Sequence, residues 1–114
     1  MIKRFEIPIY KVSLWVGVSA EIDTERMKLK KYFPHIEPLG DTTAACLTYH
    51  EASFGLFFTR EHLCMETIGH EVFHCTHRIL DHVCANFDPT HHETAALLQG
   101  YLMDLVYRAV KRYL

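Results

Sequence analysis

Apolar residues in the second half of the chain recur at steps of three and four positions. The segment from Arg60 to Val83 contains no proline, and its spaced apolar residues are Leu63, Ile68, Val72, Cys75, Ile79 and Val83. This spacing places apolar side chains on one face of a helix and polar side chains on the other. Thr59 directly precedes the segment, and threonine is favoured at helix N-caps. We therefore predict an amphipathic helix of about 22 to 25 residues that starts after Thr59.

A second helical pattern follows a short break. The Asp-Pro pair at residues 88–89 ends the first pattern, because the residue before a proline is disfavoured in helical conformation. Helical periodicity resumes over residues 91–107. Since a short connection makes two helices antiparallel neighbours, the second half of the chain is predicted to be a packed helix pair.

The first half of the chain has the shorter patterns of strands and turns. Residues 5–19 are rich in Ile, Val, Tyr and Trp and predict one strand, and residues 24–33 predict a helix. A turn is predicted at residues 40–41, and residues 44–50 and 54–58 predict a hairpin whose second strand leads into the long helix. The predicted order is β-α-β-β-α-α. It describes an α+β domain with a small three-stranded sheet packed on the long helix.

Composition is consistent with one globular domain over residues 1–114, with 49% apolar and 23% charged residues. The net charge of −2 and the lack of a long basic stripe argue against a nucleic-acid partner. No apolar run approaches about 20 residues and no signal-peptide pattern is present, so we expect no membrane partner. The four cysteines lack a Cys-x-x-Cys pair, and the three in or beside the long helix suit buried, reduced thiols. A cytoplasmic location is the resulting prediction.

The chemistry of the chain is concentrated in the long predicted helix, at His70-Glu71-Val72-Phe73-His74. Histidines four positions apart lie on one helical face, so both imidazoles can bind a single Zn²⁺. Glu71 is adjacent to them in sequence and would act as the general base that takes a proton from the attacking water. This H-E-x-x-H pattern is typical of zinc hydrolases.

A catalytic zinc needs a third protein ligand and one open position. His77 shares the helical face of the pair but lies about 10 Å along the axis from His70, too far to join the same tetrahedron. Glu93 falls in the first turn of the second helix, where the helix dipole favours a carboxylate, and a short connection can return it to the metal. His91 and His92 directly precede Glu93 and stay open as alternatives.

The two C-terminal helices together resemble a known family. The segment HEVFH is followed in the next helix by the pattern E-x-x-A-x-L-x-G-Y-L, formed by Glu93, Ala96, Leu98, Gly100, Tyr101 and Leu102. This combination resembles the small gluzincin-type metallopeptidases of phage and prophage regions, relatives of the ImmA/IrrE peptidases. The first half of the chain agrees with them only in layout. The resemblance implies a minimal gluzincin fold, zinc bound by His70, His74 and Glu93, and peptide hydrolysis with Glu71 as the base.

The predicted function is therefore zinc-dependent cleavage of a selected cytosolic protein or peptide. An extended substrate would add to an exposed strand of the hairpin beside the zinc. The oxyanion donor is one of His77, His92 and Tyr101, which the sequence does not distinguish. Two alternatives are a peptidase-like binding module whose zinc is structural and a hydrolase of a small amide. The intact Glu71 counts against the module, because a structural zinc site needs no base.

Overall fold

A computed structural model describes residues 1–85 and 92–114 of the chain. The strands are β1 (Ile2–Ile7), β2 (Val12–Ser19), β3 (Ala44–Tyr49) and β4 (Ser53–Thr59). The helices are α1 (Ile22–Arg26), α2 (Met65–His82) and α3 (Glu93–Val110), and 3₁₀ turns extend α1 over Met27–Lys31 and α3 over Lys111–Tyr113. The predicted connection over residues 85–90 and His91 lie outside the described residues, apart from Ala85.

The four strands form one mixed sheet in the order β1-β2-β4-β3. The central strands β2 and β4 pair in parallel, with Leu14 opposite Phe54, and each is flanked by an antiparallel edge strand. Every residue of β4 is buried, and in β2 only Trp15 is partly exposed. Such continuous burial of two parallel strands requires cover on both faces of the sheet.

The sheet contains one strand more than the sequence predicted. Residues 5–19, predicted as a single strand, form the end of β1 and all of β2, with a tight turn between them. In this turn the Tyr10 N–H donates to the Ile7 carbonyl at 3.2 Å and Lys11 has a φ of 52°. Pro8 explains the break, because proline has no N–H to donate to the sheet ladder. The α+β class is confirmed, but the predicted order is wrong: the structure has β-β-α-β-β-α-α.

The hairpin lies where it was predicted, but the long helix starts later. β3 and β4 are joined by the three residues His50, Glu51 and Ala52, and the positive φ values of 58° at Glu51 and 55° at Ala52 turn the chain back on itself. Thr59 is not the N-cap that its residue type suggested. Its N–H and its hydroxyl both donate to the Thr43 carbonyl, at 2.9 and 3.1 Å, which makes it the last residue of β4. Helix α2 therefore starts only after Cys64 and has 18 residues, fewer than predicted.

The predicted helix over residues 24–33 corresponds to α1 and its 3₁₀ extension. The predicted turn at residues 40–41 is also present, with a φ of 70° at Gly40. The Asp23 carboxylate holds the two segments together, because it accepts hydrogen bonds from the backbone N–H groups of Leu39 and Gly40 at 3.0 Å. This contact ties the turn at residues 39–40 back to α1.

Helices cover both faces of the sheet. On one face α2 and α3 pack on the central strands, in a core that includes Leu14, Val16, Leu56, Val72, Cys75 and Leu102. On the other face α1 and the segment after it form a smaller core, which includes Ile22, Leu29, Phe33, Ile36 and Phe57. The Phe57 ring lies over Gly17, where an added Cβ would come within 2.8 Å of it, and over Gly55. Glycine at these two positions makes room for the ring.

A buried hydrogen-bonded contact joins the two long helices. The Thr76 hydroxyl lies 3.0 Å from the Val72 carbonyl oxygen in α2 and 2.8 Å from Oε1 of Gln99 in α3. Leu98 and Leu102, on either side of Gln99 on the same helix, are buried in the core. Within residues 1–85 and 92–114, no helix has both the length and the apolar character needed to span a membrane.

Candidate metal centre

Helix α2 presents His70 and His74 together on its solvent-exposed face. Their Nε2 atoms are 3.2 Å apart, and their rings are nearly perpendicular, at 76°, with centroids 4.8 Å apart. The opposite face of α2 is anchored in the core by buried residues that include Ile68, Val72, Cys75 and Ile79. Because the helix backbone is fixed by this packing, the two imidazoles are held side by side.

The separation of the two nitrogens fits a shared zinc ion. Zn–N bonds are about 2.0–2.1 Å long, so two nitrogens at a tetrahedral angle are about 3.3 Å apart. The observed Nε2–Nε2 distance of 3.2 Å is close to this value. The separation is that of two ligands of one tetrahedral metal, and it is equally the length of a hydrogen bond between the two imidazoles.

Glu71 lies beside the histidine pair but on the sheltered side of the helix. Its Oε1 atom is 3.9 Å from Nε2 of His70, and the residue is only 9% exposed, whereas the His70 side chain is 67% exposed. A carboxylate in this position is close to the ligand atoms and partly withdrawn from solvent. This is a suitable arrangement for a group that exchanges protons rather than one that is solvated.

Two contacts show that α2 runs along the edge strand β3. The thiols of Cys75 and Cys46 meet in the core, and Nη1 of Arg78 donates to the Thr48 hydroxyl at 3.2 Å. From the first contact to the second, the residue number rises in both α2 and β3, so the helix and the strand run in the same direction. Glu71, one turn before Cys75, is therefore level with the first half of β3, and its negative charge acts to raise the pKa of the Cys46 thiol. The base candidate thus faces an edge of the sheet.

The Cys46 and Cys75 thiols form a coupled pair between strand and helix. A hydrogen bond from Cys75 lowers the pKa of Cys46, and the same contact, together with burial, raises the pKa of Cys75 well above its ordinary value. Both are free thiols. The prediction that three cysteines near the helix are buried is wrong for two of them, because Cys64 and Cys84 are exposed at the two ends of α2.

The structure brings together two of the three predicted ligands. Glu93 is the exposed first residue of α3 and His92 precedes it, also exposed. Glu93 lies six residues, about 9 Å of helix rise, before Gln99, the residue that meets Thr76 of α2. Within residues 1–85 and 92–114, no three His, Cys, Asp or Glu side chains form a group that could hold a metal. Glu93 as the third ligand stays a prediction, and His91 lies outside the described residues.

The predicted oxyanion donors occupy separate places. His77 lies one turn beyond His74 on α2, half-buried, with its ring edge-on to Phe73 at a centroid distance of 4.5 Å. Tyr101 is on the outer face of α3 and lines an apolar cavity with residues 7–10 of the turn between β1 and β2. His77 is thus the described candidate on the same helix as the pair.

The contact of Arg78 with β3 was not predicted from the sequence, since a lone arginine in a helix usually reflects a solvated face.

Comparisons with known proteins give no relative for this chain. No protein-family model matches the sequence, and neither the curated proteins nor the solved structures contain a match. The functional argument therefore depends on the geometry of the residues themselves.

Proposed function

We propose that the protein is a zinc-dependent peptidase that hydrolyses a peptide bond in a selected cytoplasmic protein. The observation that carries the proposal is the His70–His74 pair, with its 3.2 Å nitrogen separation, next to the sheltered carboxylate of Glu71. A carboxylate on an ordinary solvated helix face would be exposed, whereas Glu71 is buried beside the pair. The four free cysteines agree with a reducing compartment.

The ligand set in this proposal is His70, His74 and Glu93. When bound, zinc supplies a Lewis acid for the substrate carbonyl and lowers the pKa of water. Zinc ligation by two histidines of one helix and a carboxylate of the next is a known catalytic arrangement. The support for Glu93 is its position at the start of α3, the helix that packs against α2 through Thr76 and Gln99.

Glu71 has the role of general base. It accepts a proton from the attacking water and transfers that proton to the leaving amine. Its distance of 3.9 Å from Nε2 of His70 keeps it within reach of the ligand atoms, and its low exposure limits competition from solvent. His77, one turn further along α2, is our candidate for the donor that stabilises the oxyanion.

The edge strand β3 is the proposed docking site for the substrate backbone. Within residues 1–85 and 92–114 the only strand that pairs with β3 is β4, so the other side of β3 presents backbone N–H and C=O groups to an incoming strand. An extended peptide that pairs with this side would lie beside α2, because Arg78 and Cys75 hold the helix against β3. Main-chain pairing of this kind positions a scissile carbonyl without requiring a particular sequence.

The test compares Glu71→Gln with Glu66→Gln in the zinc-loaded protein. The first change keeps the shape of the side chain but removes its ability to accept a proton at neutral pH. The second alters an exposed carboxylate one turn before His70 and is the matched control. Cells or extracts are searched for new protein N-termini. We expect N-termini that depend on the wild type, persist with Glu66→Gln and vanish with Glu71→Gln.

Two results would count against the proposal. Cleavage that survives Glu71→Gln undiminished would show that another group is the base. Zinc binding with no new N-termini for wild type would favour the alternative of a binding module stabilised by zinc.

A further inference from the structure

A second cluster of polar groups surrounds a cavity on the sheet face opposite α2. The cavity has a volume of about 450 Å³. Its walls are Arg26 of α1, residues 33, 35 and 36 of the segment that follows, and residues 47–50 at and just after the end of β3. Neighbouring residues of a strand point to opposite faces, so a wall that includes both Thr48 and Tyr49 must reach around the outer edge of β3.

Arg26 brings a buried positive charge to this cavity. The residue is only 4% exposed. Its Nη1 donates to Asp23 at 3.1 Å and contacts the Met27 sulfur at 3.4 Å, but its Nε has no hydrogen-bond partner among the residues that the structure describes. A guanidinium has five N–H donors, and an unmatched donor inside a protein costs free energy. The Nε–H of Arg26 is therefore available to donate a hydrogen bond to a ligand.

Tyr49 adds a second unmatched polar group. Its hydroxyl is buried, its oxygen lies close enough to Arg26 for the guanidinium to act on it as a hydrogen-bond donor, and its own hydrogen has no acceptor within residues 1–85 and 92–114. Burial raises the pKa of Tyr49 despite the opposing effect of the Arg26 charge, so the hydroxyl stays a donor at neutral pH. The Tyr49 ring is stacked on Phe33 at a centroid distance of 4.6 Å, which fixes the position of the hydroxyl. Two donors thus converge on one cavity.

The charge balance favours an anionic ligand. Asp23 partly neutralises Arg26, but that carboxylate has its own donors in the backbone of Leu39 and Gly40. The Nε of Arg26 stays unmatched, and the imidazoles of His35 and His50 line the same cavity. A carboxylate accepts several such hydrogen bonds at once, and hydrogen bonds between charged groups are stronger than neutral ones. A lysine or arginine side chain would be repelled.

We infer that the Arg26 cavity is a subsite for a carboxylate side chain of the peptide that pairs with β3. The inference rests on the proposed function in so far as β3 receives the substrate. Alternate side chains of an added strand point to the face that contains this cavity. Glu71 is level with the first half of β3, and the cavity is level with the end of β3. The acidic residue of the bound peptide therefore lies roughly three residues from the bond that is cut. The protein therefore prefers acidic peptides of defined spacing.

The test uses synthetic twelve-residue peptides rich in Ala, Ser and Thr, in which one Glu is moved through the sequence, and their Gln counterparts. Binding is measured by fluorescence anisotropy to zinc-loaded Glu71→Gln protein, which leaves the peptides intact. At one or more positions we expect Glu to bind about ten-fold more tightly than Gln. Backbone NMR shifts in the same Glu71→Gln protein should locate the Glu-dependent changes at residues 47–50 and not at His70 or His74.

Variants identify the groups responsible. Arg26→Gln should abolish the preference for Glu, and Tyr49→Phe, which keeps the stacked ring, should reduce it about three-fold. Tyr32→Phe, an exposed tyrosine outside this cavity, is the matched control and should leave the preference unchanged. Since Arg26→Gln removes a buried side chain and can unfold the protein, Tyr49→Phe and His50→Ala decide the outcome in that case.

The outcomes separate this inference from the proposed function. Equal binding of Glu and Gln peptides, or a preference that Tyr49→Phe and His50→Ala leave intact, overturns the inference even if the protein cuts peptides. A clear Glu preference in a protein that cuts nothing supports the subsite and rejects the peptidase. Inorganic phosphate that binds the cavity more tightly than the Glu peptides would identify a free-anion site and overturn the peptide assignment.

Discussion

Replacing His74 by alanine should separate the effect of zinc on stability from the effect of the side chain. In metal-free protein His74 is exposed on α2, and an exposed substitution of this kind changes the free energy of unfolding by less than about 0.5 kcal/mol. In the presence of zinc the wild type gains the metal's binding free energy, whereas the variant keeps only one histidine of the pair. The two proteins should therefore have similar melting temperatures without metal and different ones with it.

The size of the difference follows from linkage. The Nε2–Nε2 distance of 3.2 Å is already close to the tetrahedral value, so little free energy is spent on bringing the two histidines together. At free zinc 100-fold above Kd the native state is stabilised by about 2.7 kcal/mol. For a chain of 114 residues the entropy of unfolding is about 240 cal/mol/K, so the melting temperature should rise by about 11 °C.

The assay is thermal unfolding followed by circular dichroism, with zinc and then with excess chelator. His82→Ala is the matched control, because His82 is exposed on the same helix but lies eight residues, about 12 Å, beyond His74. We expect the zinc-dependent shift in wild type and His82→Ala and its loss in His74→Ala. A wild type that melts at the same temperature with zinc and with chelator, or a shift that His74→Ala retains in full, would refute the metal centre.

Three further predictions concern the third ligand, the sheet and Asp23. In zinc titrations at neutral pH, Glu93→Gln should weaken binding and His91→Ala/His92→Ala should not, and the reverse result would reject Glu93 as the third ligand. In urea denaturation Gly55→Ala should destabilise by about 1–3 kcal/mol through overlap with the Phe57 ring, whereas Gly100→Ala, with open space around it, should stabilise by about 0.5–1 kcal/mol; equal effects would contradict the packing. Burial opposes ionisation of Asp23, but hydrogen bonds from Leu39 and Gly40 and the charge of Arg26 lower its pKa overall, so Asp23→Asn should cost stability at pH 7 and progressively less as the pH falls below about 4; a constant difference across that range would contradict this assignment.

The part of the site that the sequence predicts is the part that a single helix determines. Residues four apart in an α-helix lie on one face whatever the rest of the fold does, so the proximity of His70 and His74 follows from their spacing alone. The hairpin of β3 and β4 is local for the same reason, since its turn connects neighbouring segments. Both expectations agree with the structure.

Features that depend on distant contacts were not predicted. The additional strand was also missed, but its cause is local: Pro8 and Lys11 turn the chain between two segments whose residue types both favour strand. Thr59 has an ordinary N-cap side chain, but pairing with Thr43 makes it part of the sheet. The place of Glu93 likewise depends on how α3 packs through Gln99 and Thr76, a contact between residues 23 positions apart. No local pattern contains this information.

Both proposals place the substrate at β3, and together they predict how cleavage depends on the spacing between the acidic residue and the cleaved bond. Side chains of an added strand alternate between the α2 face, where Glu71 lies, and the opposite face, where Arg26 lies. Moving the acidic residue by one position transfers its carboxylate to the wrong face, and moving it by two returns it to the correct one. Cleavage of Glu-containing peptides should therefore fall sharply for a shift of one residue and recover in part for a shift of two. A preference that declines smoothly with distance from the cleaved bond would instead indicate long-range attraction by charge and would separate the acidic preference from strand addition at β3.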